Sequence, residues 1–241
     1  MPIIERAAKL IDLAWQNCDM SSQWWPLSGL RVRLEGLELR VPTEDDLEEL
    51  GALAAGGVHA PDEMPFAVPW TDASPPERAR GTLQWNWRMR GEWTPQAWTL
   101  ILAVVSDGVV VGQQDIGAHD FRVLREVKTG SWLGRDHHGQ GIGTRMRAAA
   151  LWLVFAGLGA EYALSSAFVD NPASIGVSRK LGYRDDGIAR HVRRGVPAVT
   201  RRFRLDRQAW QDSDPVPAVI EGLKPCLPLF GLEAEPGGEA V

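Results

Sequence analysis

The sequence predicts a mixed α+β domain over residues 31–211, with a helical extension before it and an acidic extension after it. Segments in which apolar and polar residues alternate, the period of a half-buried strand, are interleaved with segments that have the helical period of three to four residues. Glycine and proline separate these segments at short intervals. The predicted order is one strand, two helices, three strands, a helix, a strand, a helix and two strands.

The elements are predicted as follows. The first 30 residues form a helix that ends in a turn-like stretch, and residues 34–41 alternate as a strand. Thr43 then caps a helix whose first turn carries three acidic residues. Five prolines keep residues 58–76 out of regular structure. Further helices are predicted at 77–93, 141–157 and 172–181, and further strands at 98–105, 109–114, 127–133, 162–169, 188–193 and 198–205.

The composition is that of a soluble globular protein. Hydrophobic residues make up 44% of the 241 residues and charged residues 24%. No run approaches the roughly 20 apolar residues that cross a bilayer, and we find no signal-peptide pattern. Cys18 and Cys226 lie far apart, which argues against a disulfide framework and a cysteine zinc site. We therefore expect a cytoplasmic protein without a membrane segment.

The negative charge is concentrated at the C-terminal end. The net charge is -5, and residues 212–241 contain six acidic side chains and one lysine. The rest of the chain is formally neutral, which argues against the basic face of a nucleic-acid-binding protein. Because this end is also rich in proline and glycine, we expect a tail or a loosely docked extension.

The most informative stretch is residues 129–155, in which a strand leads through a glycine-rich turn into a helix. Gly139, Gly141 and Gly143 allow a ligand close to the backbone, and the first amides of the helix are unpaired. Such a turn binds phosphate through main-chain N–H groups and the helix dipole. The lysine of a Walker loop is missing, and the glycine spacing is GxGxG rather than the dinucleotide-binding GxGxxG.

This turn resembles the pyrophosphate loop of the GNAT superfamily of acyltransferases, in which Gln or Arg is followed by x-x-Gly-x-Gly/Ala. His138 departs from the family pattern at the first position, whereas Gly141 and Gly143 match it. Residues 170–184 resemble the segment that follows in the family, where an Asn opens a short helix ending in Lys-Leu-Gly-aromatic. The resemblance covers residues 35–206 and is closest to the branch of ribosomal-protein N-terminal acetyltransferases.

The resemblance implies a mixed central sheet, flanked by helices, whose strands part at the acyl-CoA site. It implies acetyl-CoA or another acyl-CoA, such as succinyl-CoA, as co-substrate between strands 127–133 and 162–169, without a metal. The acceptor is implied to be an amine on a protein or small molecule, and a homo-oligomer is left open. The residues expected to contact the coenzyme are Trp132, Leu133, Gly134, His138, Gly139, Gln140, Gly141, Ile142, Gly143, Thr144, Asn171 and Lys180.

The family also implies catalytic groups. Backbone amides near Leu133 would hold the thioester oxygen, and Ser174 or Ser178 would donate to the leaving thiolate. Ser178 stands where many relatives have Tyr; in the ribosomal-protein branch the serine matching Ser174 fills the role, so Ser174 is favoured. Asn171 fits either contact with the coenzyme or an ordinary helix N-cap. Both serines also fit a short helix in which they have no chemical role.

The base is not assigned by the sequence. Strand 127–133 lacks the acidic residue that some relatives keep there. The nearby alternatives are Asp115, His119, Asp120 and Glu126, each of which we interpret as a solvated strand-end or loop residue. A non-catalytic acyl-CoA-binding module is therefore retained as a second hypothesis.

Three further features have two readings. Tryptophans crowd the N-terminal half, mostly as core, but the proline-rich loop 64–72 is expected to form a wall of the site. The adjacent His137 and His138 are not expected to bind a metal, because no further ligands complete a set. Six arginines of the last hairpin form a solvated face or hold an anionic group: Arg190, Arg193, Arg194, Arg201, Arg202 and Arg204.

Overall fold

The computed structural model describes residues 21–233. Nine strands form one sheet in the order β7-β8-β6-β5-β4-β3-β2-β1-β9, and every neighbouring pair is antiparallel except β5 and β6. The strands are β1 Arg31–Leu34, β2 Leu37–Arg40, β3 Ala97–Ser106, β4 Val109–His119, β5 Glu126–Leu133, β6 Tyr162–Phe168, β7 Arg184–Arg193, β8 Val196–Asp206 and β9 Val219–Glu221. The fold is therefore the mixed sheet that the sequence predicts.

Seven α-helices accompany the sheet in the described residues. They are α1 Ser21–Trp24, α2 Glu44–Gly56, α3 Pro75–Gly91, α4 Phe121–Leu124, α5 Ile142–Trp152, α6 Pro172–Lys180 and α7 Arg207–Asp212. A single π-turn, Leu153–Gly157, extends α5, and short 3₁₀ turns lie at Pro26–Gly29, Trp70–Asp72, Arg135–His137 and Lys224–Phe230. The helix predicted before Ser21 lies outside the described residues. Within residues 21–233, no helix is long and apolar enough to cross a membrane.

The helices cover both faces of the sheet. Neighbouring residues of β3 point to opposite faces, so Val104 and Val105 belong to different cores. Val104 joins the large core that contains Met146 of α5, whereas Val105 packs with Leu47 of α2. We call these the α5/α6 face and the α2/α3 face. A ligand that enters the sheet between two strands can therefore be reached from helices on either side.

Helix α2 begins at the N-cap that the sequence predicts, Thr43. The Thr43 hydroxyl accepts a hydrogen bond from the Asp46 amide at 3.1 Å, and Asp46 accepts one from the Thr43 amide at 2.9 Å. This reciprocal pair satisfies two N–H groups that the first turn would otherwise leave unpaired. Arg40 of β2 also donates to the Asp46 carboxylate at 2.6 Å. The predicted N-cap is confirmed, and it joins α2 to the sheet.

Two predicted strands have different bounds in the structure. The segment expected as one strand at 34–41 is the hairpin β1–β2, which turns at Gly36 with a φ of 64°. Strand β4, expected to end at Gln114, continues to His119 along β3 and β5. The extension went unpredicted because Gly117 and the polar residues 113–115 interrupt the apolar pattern. It brings Asp115 into the middle of the sheet.

The described part of the acidic C-terminal segment is not a loose tail. Strand β9 pairs with β1, and the Phe230 side chain is fully buried beside Trp98, with ring centroids 4.9 Å apart. The Trp93 indole donates to the Leu229 carbonyl at 2.8 Å. The expectation of a loosely docked extension is wrong for residues 219–230, because its scattered apolar residues cover an exposed sheet edge. We propose that the domain extends to Phe230.

Candidate active site

The sheet opens into a wedge between β5 and β6. The two strands pair in parallel at only three positions, ending with Lys128 opposite Leu164. Beyond this point β5 stays paired with β4 as far as Leu133, and β6 stays paired with β8 as far as Phe168. The facing edges of β5 and β6 therefore carry unpaired backbone groups, and the space between them can accept an extended ligand. This is the parting of strands that the family resemblance implies.

The glycine-rich loop lies at the mouth of the wedge. Gly139 and Gly141 have φ values of 74° and 78°, and no atom lies within 4 Å of the position that a Cβ would take at either residue. Gly143 packs between Val177 of α6 and Leu133 of β5. The amides of residues 139–143 find no acceptor in the described chain, as expected before and within the first turn of a helix. A pyrophosphate group fits these donors.

Side chains fix this loop. The His138 ring lies 3.2 Å from the Leu133 carbonyl oxygen, so that the residue departing from the family pattern ties the loop to the end of β5. Gln140 donates to the Asp136 carbonyl at 2.9 Å. Thr144 donates its amide to the Gly141 carbonyl at 3.1 Å, which closes the first turn of α5. The loop is thus a preformed cradle.

The three residues predicted at the end of β5 point in different directions. Leu133 lies on the α5/α6 face, and Trp132 lies against the α2/α3 core. Gly134 donates its amide to Val111 at 2.9 Å, and a Cβ there would lie 2.8 Å from Leu53. The absence of a side chain at Gly134 is therefore explained by the packing of α2.

Helix α6 borders the wedge on the β6 side. The Asn171 side chain accepts a hydrogen bond from the Ser174 amide at 3.0 Å, so its capping role is confirmed. Ser174 and Ser178 are one turn apart on the same side of α6. Ser178 is fully buried and bonds the Ser165 hydroxyl of β6 at 3.3 Å, whereas Ser174 is half-buried. Lys180 is exposed in the last turn.

Asp115 is a carboxylate in the middle of the sheet rather than the solvated strand-end residue that we expected. It pairs with Gly130 of β5, and burial raises its pKa to about 7. Gln113 donates to Asp115 at 2.8 Å and accepts from Asn86 of α3 at 3.1 Å. Because Gln113 and Asp115 are two residues apart on β4, both face α2/α3. The carboxylate is thus held in one orientation beside the wedge.

The other candidate bases are less suited to this role. Glu126 is bound by Arg204 at 2.7 Å. His119 is exposed at the end of β4, and Asp120 follows it in a left-handed conformation with a φ of 47°. In the sequence Asp115 directly follows the predicted strand 109–114, and nothing there revealed that it lies inside the sheet.

Aromatic side chains form a wall next to Asp115. Trp132 shares its face, because the pairs Asp115–Gly130 and Gln113–Trp132 are adjacent. The ring of Trp132 lies 5.9 Å from Trp70, which lies 5.2 Å from Phe66. Both partners belong to the loop 64–72, which therefore packs against the wedge strand.

Arginines of the last hairpin hold this loop. Arg193 donates to the Met64 carbonyl at 3.1 Å and to Asp170 at 2.6 Å, and Arg194 donates to Asp72 at 2.5 Å. Arg193 and Arg194 are thus ion-paired with the chain's own carboxylates. Their attachment of the hairpin to the loop was not evident from the sequence, because the partners are about 120 residues apart.

One further residue went unnoticed in the sequence. Arg147 of α5 is buried in the wedge, where it bonds the hydroxyls of Ser131 and Ser165, each at 3.1 Å. Within residues 21–233, no three His, Cys, Asp or Glu side chains are grouped as metal ligands.

Comparison with known proteins agrees with this geometry. The family described as acetyltransferase (GNAT) domain matches residues 36–184. A GCN5-related N-acetyltransferase from Brucella melitensis is 20% identical, with TM-score 0.59 over 75% of this chain and 80% of that one. The RimL ribosomal L7/L12 α-N-protein acetyltransferase, solved with coenzyme A, is 19% identical, with TM-score 0.59 over 73% and 97%. The ribosomal-protein-S5-alanine acetyltransferase from Vibrio fischeri is 15% identical, with TM-score 0.58 over 75% and 98%.

The residues matched by the family include the glycine-rich loop, the wedge and helix α6. They make up more than half of the chain. The chain therefore belongs to the GNAT acetyltransferases, enzymes that transfer an acyl group from coenzyme A to an amine.

Proposed function

We propose that this acetyltransferase uses Asp115 as its general base, on a primary amine bound at the α2/α3 face of the wedge. The observation that carries the proposal is the position of the Asp115 carboxylate. It lies on β4 across from Gly130, and Gly130 belongs to β5, the strand that borders the wedge. A base works best when its pKa is close to the operating pH, and burial brings that of Asp115 to about 7. The acceptor amine then reaches the base without crossing the sheet.

The coenzyme-binding residues support the same arrangement. The amides of Gly139, Gly141 and Gly143 hold the pyrophosphate at the positive end of α5. The unpaired edge of β5 between Thr129 and Leu133 offers backbone groups to the pantetheine arm. An amide near Leu133 donates to the thioester oxygen, whose negative charge grows as the amine attacks.

Residues on opposite faces of the sheet act on the two ends of the reaction: Asp115 takes the amine proton on the α2/α3 face, and Ser174 assists the leaving sulfur from the α5/α6 face. The amine nitrogen forms a bond to the acyl carbon, and Asp115 removes the proton that the nitrogen loses. The carbon–sulfur bond breaks, and its electron pair remains on sulfur. Ser174 donates a hydrogen bond to that sulfur from α6, as the resemblance implies. The products are an amide and coenzyme A.

We propose acetyl rather than succinyl as the acyl group. The arginines considered for a succinyl carboxylate include Arg193, Arg194 and Arg204, which the chain's own carboxylates engage. Binding a second carboxylate there would require breaking those ion pairs. An acetyl group needs only a small neutral space.

The aromatic wall indicates which amines are accepted. Trp132, Trp70 and Phe66 present flat apolar surface beside the base. Such surface favours an amine on an apolar or aromatic skeleton over a strongly hydrated polyamine. We therefore propose arylalkylamines, or peptides with an apolar first residue, as the acceptor class, in the cytoplasm.

The test is release of coenzyme A thiol from acetyl-CoA or succinyl-CoA in the presence of a panel of amines. We expect turnover with acetyl-CoA and with apolar amines, at rates more than tenfold above those with aminoglycosides. The variant Trp70→Ala should lose this preference while keeping its affinity for acetyl-CoA. Tight binding of acetyl-CoA without turnover on any amine would instead support the non-catalytic acyl-CoA-binding module.

A further inference from the structure

Arg147 lies where the two wedge strands separate. It is only 4% exposed, and its two terminal nitrogens donate to Ser131 of β5 and Ser165 of β6 at 3.1 Å each. These serines follow the last parallel pair, Lys128 and Leu164, by three residues and by one. The guanidinium therefore spans the gap at the inner end of the wedge.

The charge of Arg147 has no counterion in the described chain. The groups that bond it or lie beside it are neutral, namely the hydroxyls of Thr129, Ser131, Ser165, Ser178 and Tyr183, together with the Gln114 amide. Burial raises the pKa of Tyr183, so that its phenol stays protonated. Across residues 21–233, no carboxylate forms an ion pair with Arg147.

Two buried polar atoms of this cluster also lack a partner. They are Nε of Arg147 and Oε1 of Gln114. Gln114 is cross-strand neighbour to Ser131 and therefore lies on the same face as the guanidinium. A purely structural role would leave a cation without a counterion and two hydrogen-bonding atoms without partners, all buried at a cost in stability. An arriving negative charge would offset that cost.

We propose that Arg147 is a catalytic residue that stabilises the coenzyme A thiolate as it leaves. The inference rests on the proposed acyl transfer. When the carbon–sulfur bond breaks, the electron pair stays on sulfur, and the guanidinium faces the resulting anion. The proton released by the amine goes to Asp115, so the thiolate departs as an ion pair and takes its proton from water afterwards. A charge that appears only at this step is a favourable target for a fixed cation.

Arg147 keeps hydrogen-bonding capacity for an anion. A guanidinium carries five N–H groups, and the bonds to Ser165 and Ser131 use only two of them. Nε is buried without an acceptor. A thiolate sulfur at the inner end of the wedge would receive such a donor.

The direct test is the thiol pKa of bound coenzyme A, measured from the ultraviolet absorbance of the thiolate during a pH titration. The same protein bound to desulfo-coenzyme A is the reference, so that tyrosines and cysteines cancel. Buried Cys226, with a pKa of about 12, adds little thiolate signal. The variants are Arg147→Met and Arg147→Lys, with Arg88→Met as the control because Arg88 is an exposed arginine paired with Glu92.

We expect the wild-type titration to have its midpoint at least about one pH unit below that of free coenzyme A, equivalent to about tenfold tighter binding of the thiolate than of the thiol. Arg147→Met should move the midpoint to or above the free value, since burial without a cation raises a thiol pKa. Arg147→Lys should keep part of the shift, and Arg88→Met all of it. A wild-type midpoint at or above the free value would overturn the proposal, whether or not Arg147→Met folds.

Kinetics provide the second readout. Arg147→Met should lower kcat with acetyl-CoA by about 10²-fold and leave KM for acetyl-CoA within about threefold. If Arg147→Met instead impairs only turnover of succinyl-CoA, Arg147 binds the carboxylate of the acyl group and the thiolate role is wrong. Failure of the wild-type protein to bind coenzyme A at all would contradict the proposed function itself, whereas normal binding with an unshifted thiol contradicts only the role of Arg147.

Discussion

The Asp115 carboxylate lies across from Gly130, and a Cβ at Gly130 would be 4.0 Å from Oδ2 of Asp115. Gly130 belongs to the strand that borders the wedge, two residues before Trp132. The missing side chain keeps one side of the carboxylate open on the α2/α3 face. The half-buried carboxylate therefore stays reachable by a substrate.

Replacing Gly130 with valine should close this approach. The new methyl groups would stand between Asp115 and the wedge, so we expect kcat/KM for the amine to fall at least about tenfold. Calorimetric affinity for acetyl-CoA should change less than threefold, because the coenzyme loop is not altered. Unchanged kcat/KM in Gly130→Val would show that the amine arrives from elsewhere.

The glycine-rich loop is tested by Gly141→Val. Gly141 has a φ of 78°, a conformation that costs a β-branched residue about 1–3 kcal/mol. We expect the loop to rearrange and the affinity for coenzyme A, measured by calorimetry, to fall about tenfold or more. The matched control is Gly108→Val in the β3–β4 turn, where φ is 85° and the surroundings are equally open. Equal affinities in the two variants would refute the assignment of the pyrophosphate to this loop.

Ser174→Ala and Ser178→Ala separate the two candidate thiolate donors. We expect Ser174→Ala to lower kcat by about 10²-fold with little change in coenzyme affinity, because the hydrogen bond is strongest as the thiolate forms. Ser178 is fully buried against Ser165, so Ser178→Ala should mainly reduce the melting temperature. Full turnover in Ser174→Ala with loss in Ser178→Ala would reverse the assignment.

The C-terminal segment should be required for stability. Phe230 is fully buried against Trp93 and Trp98, so Phe230→Ala should cost about 3–5 kcal/mol in the free energy of unfolding, measured with urea. Val219→Ala, which truncates an exposed residue of the same segment, should cost less than about 0.5 kcal/mol. Similar midpoints for Phe230→Ala and the wild type would mean that the segment is dispensable.

The features that could be predicted from the sequence are those set by residues close together in the chain. The Thr43 cap, the glycine-rich loop and the Asn171 cap each follow from a short run of residues, and the structure contains all three elements. The parting of β5 and β6 followed from the family resemblance rather than from the periodicity of either strand.

Features that depend on distant parts of the chain were missed. The position of Asp115 requires β4 to continue beyond Gln114 and α3 to hold Gln113, which bonds the carboxylate, and neither feature is visible near Asp115 in the sequence. No sequence pattern singled out Arg147, because its burial depends on contacts with β5 and β6. The residues around Phe230 are rich in proline, and for this reason we predicted a tail where the structure has a segment of the core.

The central claim, that Asp115 is the general base, is tested most directly by the pH dependence of kcat/KM. With a pKa raised to about 7, the carboxylate is protonated and inactive at lower pH and becomes a competent base at higher pH. We expect wild-type kcat/KM for the amine to rise tenfold per pH unit below about pH 7 and then to level off. Asp115→Asn should be at least about 10²-fold slower and lack this inflection while still binding acetyl-CoA, and Asp120→Asn should match the wild type. An Asp115→Asn variant that keeps both the wild-type rate and the inflection near pH 7 would contradict the claim.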